Sequence, residues 1–182
     1  MKILQKPVPN FARGREGYIP EAIVLHIGEG SQEIILGRAA IEKPDCKYPF
    51  VGTFRTEEKS SHYSVDVDGT IWQFVKEEDT AWHAGIVNKP TANTIRFRSE
   101  VNPNSYTIGI EHAGFSYKDI TDKQYHATAE LVYDICARWK IPIDREHIIG
   151  HKEIRADKTC PGKIDVDKIV SLAQKYPERK AD

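Results

Sequence analysis

Seven histidines and three cysteines are the residues of this 182-residue sequence best suited to holding a metal ion or moving a proton. His151 and Cys160 stand out by spacing. They bracket one polar excursion of chain, Gly150-His151-Lys152-Glu153-Ile154-Arg155-Ala156-Asp157-Lys158-Thr159-Cys160-Pro161-Gly162. An imidazole and a thiolate placed this way can converge on one cation, and Zn²⁺ accepts both. Two protein ligands do not make a catalytic site, and His26, at the end of a short apolar run, is the best candidate for the third. A His₂Cys set leaves the fourth tetrahedral position for water, the open arrangement of a hydrolytic zinc. On spacing alone this stands beside the commoner role of histidines as satisfied core or surface residues.

Two competing arrangements use the same residues. His147 and His151 have the four-residue spacing of a helical zinc-protease motif. However, Ile148-Ile149-Gly150 has strand-and-turn character, and no Glu follows His147 directly. On a strand, positions four apart lie about 13 Å from each other, too far for one ion. Alternatively, Cys160 is a metal-free nucleophile partnered by a histidine. Such a thiol wants an accessible, activated setting, often a helix N-terminus, whereas Cys160-Pro161-Gly162 is loop sequence. Cys136 falls on a helical apolar stripe and is expected in the core, and Cys46 is expected as a free thiol on a loop. An odd, widely spaced set of three is no disulfide framework.

The elements that must position these residues follow from periodicity. Residues 1–20 carry Pro7, Pro9, Gly14, Gly17 and Pro20 and form an extended lead-in to a domain over 21–182. Glu21-Ala22-Ile23-Val24-Leu25-His26-Ile27 is a β-branched run expected as a buried central strand. A short helix is expected over 31–41 and a long charged loop over 42–60. His62 to Val67 alternates, Asp68-Gly69 turns, and Thr70 to Val75 alternates again, the pattern of a β-hairpin. Residues 84–105 form a second long loop, and loops of that length often bind ligands. Tyr106 to His112 is a strand with Thr107, Gly109 and Glu111 on one face. Thr121 to Trp139 is a helix opened by a Thr121/Gln124 capping box, and Asp165 to Tyr176 is a last helix. Between them lies a short strand, Ile148-Ile149. The fold class is mixed α/β: a central mixed sheet flanked by a few helices.

Composition narrows the function classes. The 26 Lys and Arg residues against 27 Asp and Glu give a net charge of −1, without the basic excess of a nucleic-acid reader. No apolar run approaches the roughly 20 residues needed to span a bilayer. The N-terminus carries charge but no apolar stretch behind it, so synthesis without a signal peptide is expected.

The order of five segments carries a specific resemblance. They are Ile23-Val24-Leu25-His26; Ser61-His62-Tyr63-Ser64-Val65-Asp66-Val67-Asp68-Gly69-Thr70-Ile71; Ala81-Trp82-His83-Ala84-Gly85; Asn104-Ser105-Tyr106-Thr107-Ile108-Gly109-Ile110-Glu111; and the His151 to Gly162 excursion. Over roughly residues 20–176 the chain resembles the type 2 N-acetylmuramoyl-L-alanine amidases, the zinc family that includes recycling amidases, phage endolysins and peptidoglycan recognition proteins. The resemblance implies the zinc ligands His26, His151 and Cys160, with Cys where some members have Asp. It places the catalytic acid on Glu111 and the catalytic lysine on Lys158. Ser61 stands where other members use Tyr, which leaves the proton work to Glu111. Trp82, His83 and Asn104 are expected to meet substrate, although all three are equally suited to pinning or orienting a loop. His62 is expected to support the site, and no role is evident for His112 or His126.

The implied reaction is hydrolysis of the amide between the lactyl group of N-acetylmuramic acid and L-alanine, with peptidoglycan or a muropeptide as substrate and a monomeric enzyme. A non-catalytic peptidoglycan-binding module of the same fold is the alternative, although such relatives lose the metal set and this chain keeps it. An endolysin released at lysis and a cytoplasmic recycling enzyme both fit, with a slight lean to the endolysin.

Overall fold

A run of five aliphatic residues interrupted only by one histidine, with no polar alternation, suits a strand covered on both faces. Ala22–Ile27 is such a strand, with every residue buried. In the computed structural model, which describes residues 1–39 and 59–176, it lies inside a six-stranded mixed sheet. In chain order the elements are β1 (Ile3–Gln5), β2 (Phe11–Ala12), β3 (Ala22–Ile27), α1 (Gln32–Ala39), β4 (Tyr63–Val65), β5 (Ile71–Gln73), β6 (Thr80–Ala81), α2 (Asn93–Arg96), β7 (Thr107–His112), α3 (Asp122–Trp139), β8 (Ile148–Gly150) and α4 (Val166–Ala173). The sheet order is β1-β5-β4-β7-β3-β8. Among the described strands of this sheet, only β4 and β5 pair antiparallel, the expected hairpin around Asp68-Gly69. β3 runs parallel to both β7 and β8.

One face of the sheet holds the main core. Ile23, Leu25 and Ile27 of β3 pack with Ile108, Ile110 and Ile148 beneath α3 and α4. α3 starts as its sequence dictates: the Thr121 side chain accepts from the Gln124 amide, and Gln124 reaches back to the Thr121 amide. Such a capping box contributes about 0.5–2 kcal/mol. His112, for which no role was evident, is fully buried here. Its Nδ1 lies 2.8 Å from the His26 carbonyl and its Nε2 2.8 Å from Thr128 Oγ1, tying the sheet to α3.

The opposite face carries Val24, Ile149 and Tyr106 with Ala84, Ile95 and Ile154. His26, next on this face after Val24, extends it to the carboxyl end of β3. Because β3, β7 and β8 all point the same way, their ends bring His26, Glu111 and His151 to one edge, the edge where open α/β sheets bind ligands.

The structure departs from the sequence expectations in three places. The extended lead-in also pairs, since β1 adds a parallel edge strand beside β5 and β2 forms a small antiparallel ribbon with β6. Pairing partners some 68 residues away leave no local trace. The 84–105 stretch is not wholly irregular. It contains α2 and a 3₁₀ turn over Pro103–Ser105, started by the Asn102 side chain and Pro103. The last helix ends at Ala173, short of Tyr176. The expected helix over 31–41 is α1, and its final residues, with nearly all of the 42–60 loop, lie outside the described residues.

Candidate metal centre

Among the described residues, His26, His151 and Cys160 form a group whose potential ligand atoms all lie within 4.8 Å of one another. His26 arrives on β3, and His151 opens a 3₁₀ turn directly after β8. Cys160 returns on a loop closed by a 2.7 Å bond from the Lys152 amide to the Cys160 carbonyl. Glu153 braces the base of that loop, accepting from the Gly150 amide at 2.6 Å and from Arg145 at 3.0 Å. Cys160 Sγ lies 3.7 Å from His26 Nδ1 and accepts from the Ile27 amide at 3.3 Å. Zn–S and Zn–N bonds of about 2.3 and 2.05 Å in a tetrahedron put S and N about 3.6 Å apart. The His26–Cys160 pair matches that edge, so a soft, nitrogen- and sulfur-binding cation fits this donor set.

Electrostatics favour neutral donors. Burial, reinforced by His151, His83 and His112, holds His26 well below the usual histidine value. Burial likewise brings His151 to about 4. The Cys160 thiol is pushed up by burial and by the charge of Glu111. A thiol held in its protonated form is a poor free nucleophile but a sound ligand once a cation displaces its proton. Burial and the Glu111 charge thus both work against a free thiolate at Cys160.

Glu111 is the register partner of His26 across the β3–β7 pair, so the two side chains leave the sheet side by side. Glu111 lines a cavity of about 500 Å³ together with the three potential ligands, Trp82, His83, Asn104 and Lys158. The cavity rim is largely basic, with Arg38, Lys59, Arg155 and Lys158 against Glu29 and Glu111. Trp82 is partly exposed on the cavity wall, its backbone held at both ends by Ser60. Ser61 also lines the cavity, and its hydroxyl donates to the Tyr63 carbonyl at 2.9 Å.

His83 and Asn104 are engaged within the protein. The Asn104 carboxamide oxygen accepts from the amides of both His83 and Ala84, at 3.0 and 2.8 Å. The His83 ring lies against His26, with Nδ1 3.1 Å from His26 Nε2. His62, expected to support the site, is fully buried and accepts from the Gly109 amide on Nδ1 at 3.0 Å. Beside it the buried Arg15 donates to the carbonyls of Glu77, Asn104, Ser105 and Thr107, drawing the first 20 residues onto the loop that carries Asn104.

Sequence reasoning missed Thr107 and Gly109. Thr107 Oγ1 lies 3.3 Å from His83 Nε2. A Cβ on Gly109 would fall 2.5 Å from His83 Cγ, so the ring occupies the space that this glycine leaves open. A glycine in the middle of an apolar strand is the available signal, because it marks close approach of another group.

A family model described as N-acetylmuramoyl-L-alanine amidase matches residues 16–163. The chain belongs to this type 2 amidase family. It is 31% identical over 107 residues to the 1,6-anhydro-N-acetylmuramyl-L-alanine amidase AmpD of Haemophilus influenzae, covering 59% of this chain and 53% of the relative. It is 32% identical over 120 residues to the protein of that name from Salmonella typhimurium, covering 65% and 58%. The matches thus span a little over half the length of these curated relatives. The fold superposes on a selenomethionine derivative of AmpD with a TM-score of 0.77 at 24% identity, over 93% of both chains. It also superposes on the N-acetylmuramoyl-L-alanine amidase LysC from Clostridium intestinale, with a TM-score of 0.63 at 18% identity over 96% and 98% of the two chains. At these identities the likeness establishes the fold.

Proposed function

We propose that this chain is a zinc-dependent N-acetylmuramoyl-L-alanine amidase, hydrolysing the amide between the lactyl group of N-acetylmuramic acid and L-alanine. The observation that carries the proposal is the meeting of His26, His151 and Cys160 beside the Glu111 carboxylate. His26, His151 and Cys160 hold the ion. Zinc bound there polarises an amide carbonyl and makes water a nucleophile near neutral pH. Glu111 takes the proton of the attacking water and delivers it to the leaving nitrogen, a role that typically contributes about 10²–10⁴-fold. Lys158 supplies a fixed positive charge to the oxygen on which negative charge develops. Trp82 forms a wall of the substrate groove. His83 and Asn104 border the same cavity, with their principal polar atoms turned to the protein.

The basic rim suits a substrate whose peptide carries carboxylates. The scissile amide is common to intact wall and to soluble anhydro-muropeptides, so both belong in the assay. Cleavage of intact wall fits an enzyme released at lysis, and cleavage confined to fragments fits cytoplasmic recycling. Purified protein is treated with a chelator and then with zinc, and newly released amines are counted on both substrates. Loss and restoration of cleavage is the expected result. Retention of substrate without any amine release identifies a binding module instead, and indifference to the chelator removes the metal from the reaction.

A further inference from the structure

A neutral imidazole carries one proton, and the partner of one ring nitrogen decides which nitrogen is left to bind a metal. Here the partners can be followed to a group whose role is unambiguous. The Thr107 hydroxyl donates its only proton to the Pro103 carbonyl at 2.7 Å. Toward His83 Nε2, at 3.3 Å, it can therefore only accept, so His83 carries its proton on Nε2. His83 Nδ1 is then a lone pair, and across 3.1 Å the proton must sit on His26 Nε2. This leaves His26 Nδ1 as the free donor atom, the atom that lies 3.7 Å from Cys160 Sγ. The next residue along does the same for the other imidazole. The Ala84 carbonyl, which can only accept, lies 2.9 Å from His151 Nε2 and so leaves His151 Nδ1 free. Both amides of this dipeptide are held by the single Asn104 oxygen.

We infer that the His83–Ala84 dipeptide, anchored by Asn104 and Thr107, sets the tautomer of both metal-binding imidazoles and turns Nδ1 of each toward the cation. The inference rests on the metal centre proposed above and adds positioning residues to it. His83, Ala84, Asn104 and Thr107 act through His26 and His151. The segment Ala81-Trp82-His83-Ala84-Gly85 thereby gains a use in which substrate takes no part. Groups that orient a ligating histidine typically change metal affinity about 10–100-fold when removed.

The test separates the tautomer from the metal. Long-range ¹⁵N–¹H spectra of the metal-free protein read the protonated nitrogen of each histidine, and competition with a chromophoric chelator reads zinc affinity. The expected wild-type result is Nε2–H at His26, His83 and His151. In Thr107→Val, a variant of nearly equal shape, His83 becomes a mixture of tautomers and zinc affinity falls, whereas Thr107→Ser keeps both readouts. His83→Leu is expected to lose about 10–100-fold in zinc affinity. His83→Asn, which returns an acceptor near the Nδ1 position, recovers most of it. Nδ1–H at His26 or His151 in the wild type overturns the inference, as does wild-type zinc affinity in both Thr107→Val and His83→Leu. A general loss of packing would lower the thermal midpoint without distinguishing Val from Ser at 107. If the wild type shows the expected tautomers yet takes up no zinc, the amidase proposal fails while the hydrogen-bond chain stands.

Discussion

Replacing Gly109 with Ala adds one carbon where the His83 ring already sits. The new Cβ would lie 2.5 Å from His83 Cγ and 2.7 Å from Cδ2 and Nδ1, where ordinary contacts begin at 3.4 Å. The ring must shift by about 1 Å in a fully packed setting, and such overpacking typically costs about 1–3 kcal/mol. The shift also takes His83 Nδ1 away from His26 Nε2, now 3.1 Å apart. Leaving that buried N–H without its acceptor adds about 1–3 kcal/mol. A combined loss near 3 kcal/mol lowers the thermal midpoint of a domain this size by roughly 6–12 °C. Zinc affinity falls by about 10–100-fold through the displaced His26. Differential scanning calorimetry of the metal-free protein and chelator competition measure the two effects separately. A Gly109→Ala protein with wild-type midpoint and wild-type zinc affinity would refute the packing of His83 on β7 and its role toward His26.

Three further outcomes follow from the same geometry. Glu111→Gln should keep zinc bound while amide cleavage falls by about 10²–10⁴-fold, and cleavage near the wild-type rate would move the proton work elsewhere. Cys160→Ser should lose stoichiometric zinc while the metal-free fold persists by circular dichroism, and full zinc retention would remove the thiolate from the ligand set. Five buried histidines lie below the ordinary value, with His112 and His151 at about 4, His83 at about 3, and His26 and His62 well below 6.5. The unfolded chain takes up these protons near pH 6.5 while the folded domain resists them. The stability of the metal-free protein is therefore full above about pH 6.5. It falls as pH drops toward 4, by up to about 1.4 kcal/mol per pH unit for each histidine. Urea midpoints that stay flat over this range would contradict the neutral, buried imidazoles.

What was legible in the sequence was what lies close along the chain or alternates with a clear period. The Asp68-Gly69 hairpin, the capping box of α3 and the buried run of β3 all announce themselves within a few residues. The pairing of His151 with Cys160 was legible because one short loop joins them, and His26 because it ends the most apolar strand. The register that sets Glu111 beside His26 was not legible, since it joins strands 85 positions apart and depends on the whole sheet. The placement of His83 was hidden for a related reason. A histidine beside a tryptophan on a loop suits a groove wall and a loop pin equally, and only the space above Gly109 and the partners of Thr107 show which way its ring faces. The strands of the first 20 residues were obscured by their prolines and glycines, and it is Arg15, buried among backbone carbonyls, that ties this segment down.

The metal is the point on which most depends. X-ray absorption at the zinc edge, on protein reconstituted with one equivalent, reads both occupancy and donor set. One tightly held zinc per chain with two imidazole nitrogens at about 2.0–2.1 Å, one sulfur at about 2.3 Å and a light-atom fourth neighbour is the predicted result. Failure to retain zinc, or a bound zinc without a sulfur neighbour, would contradict it.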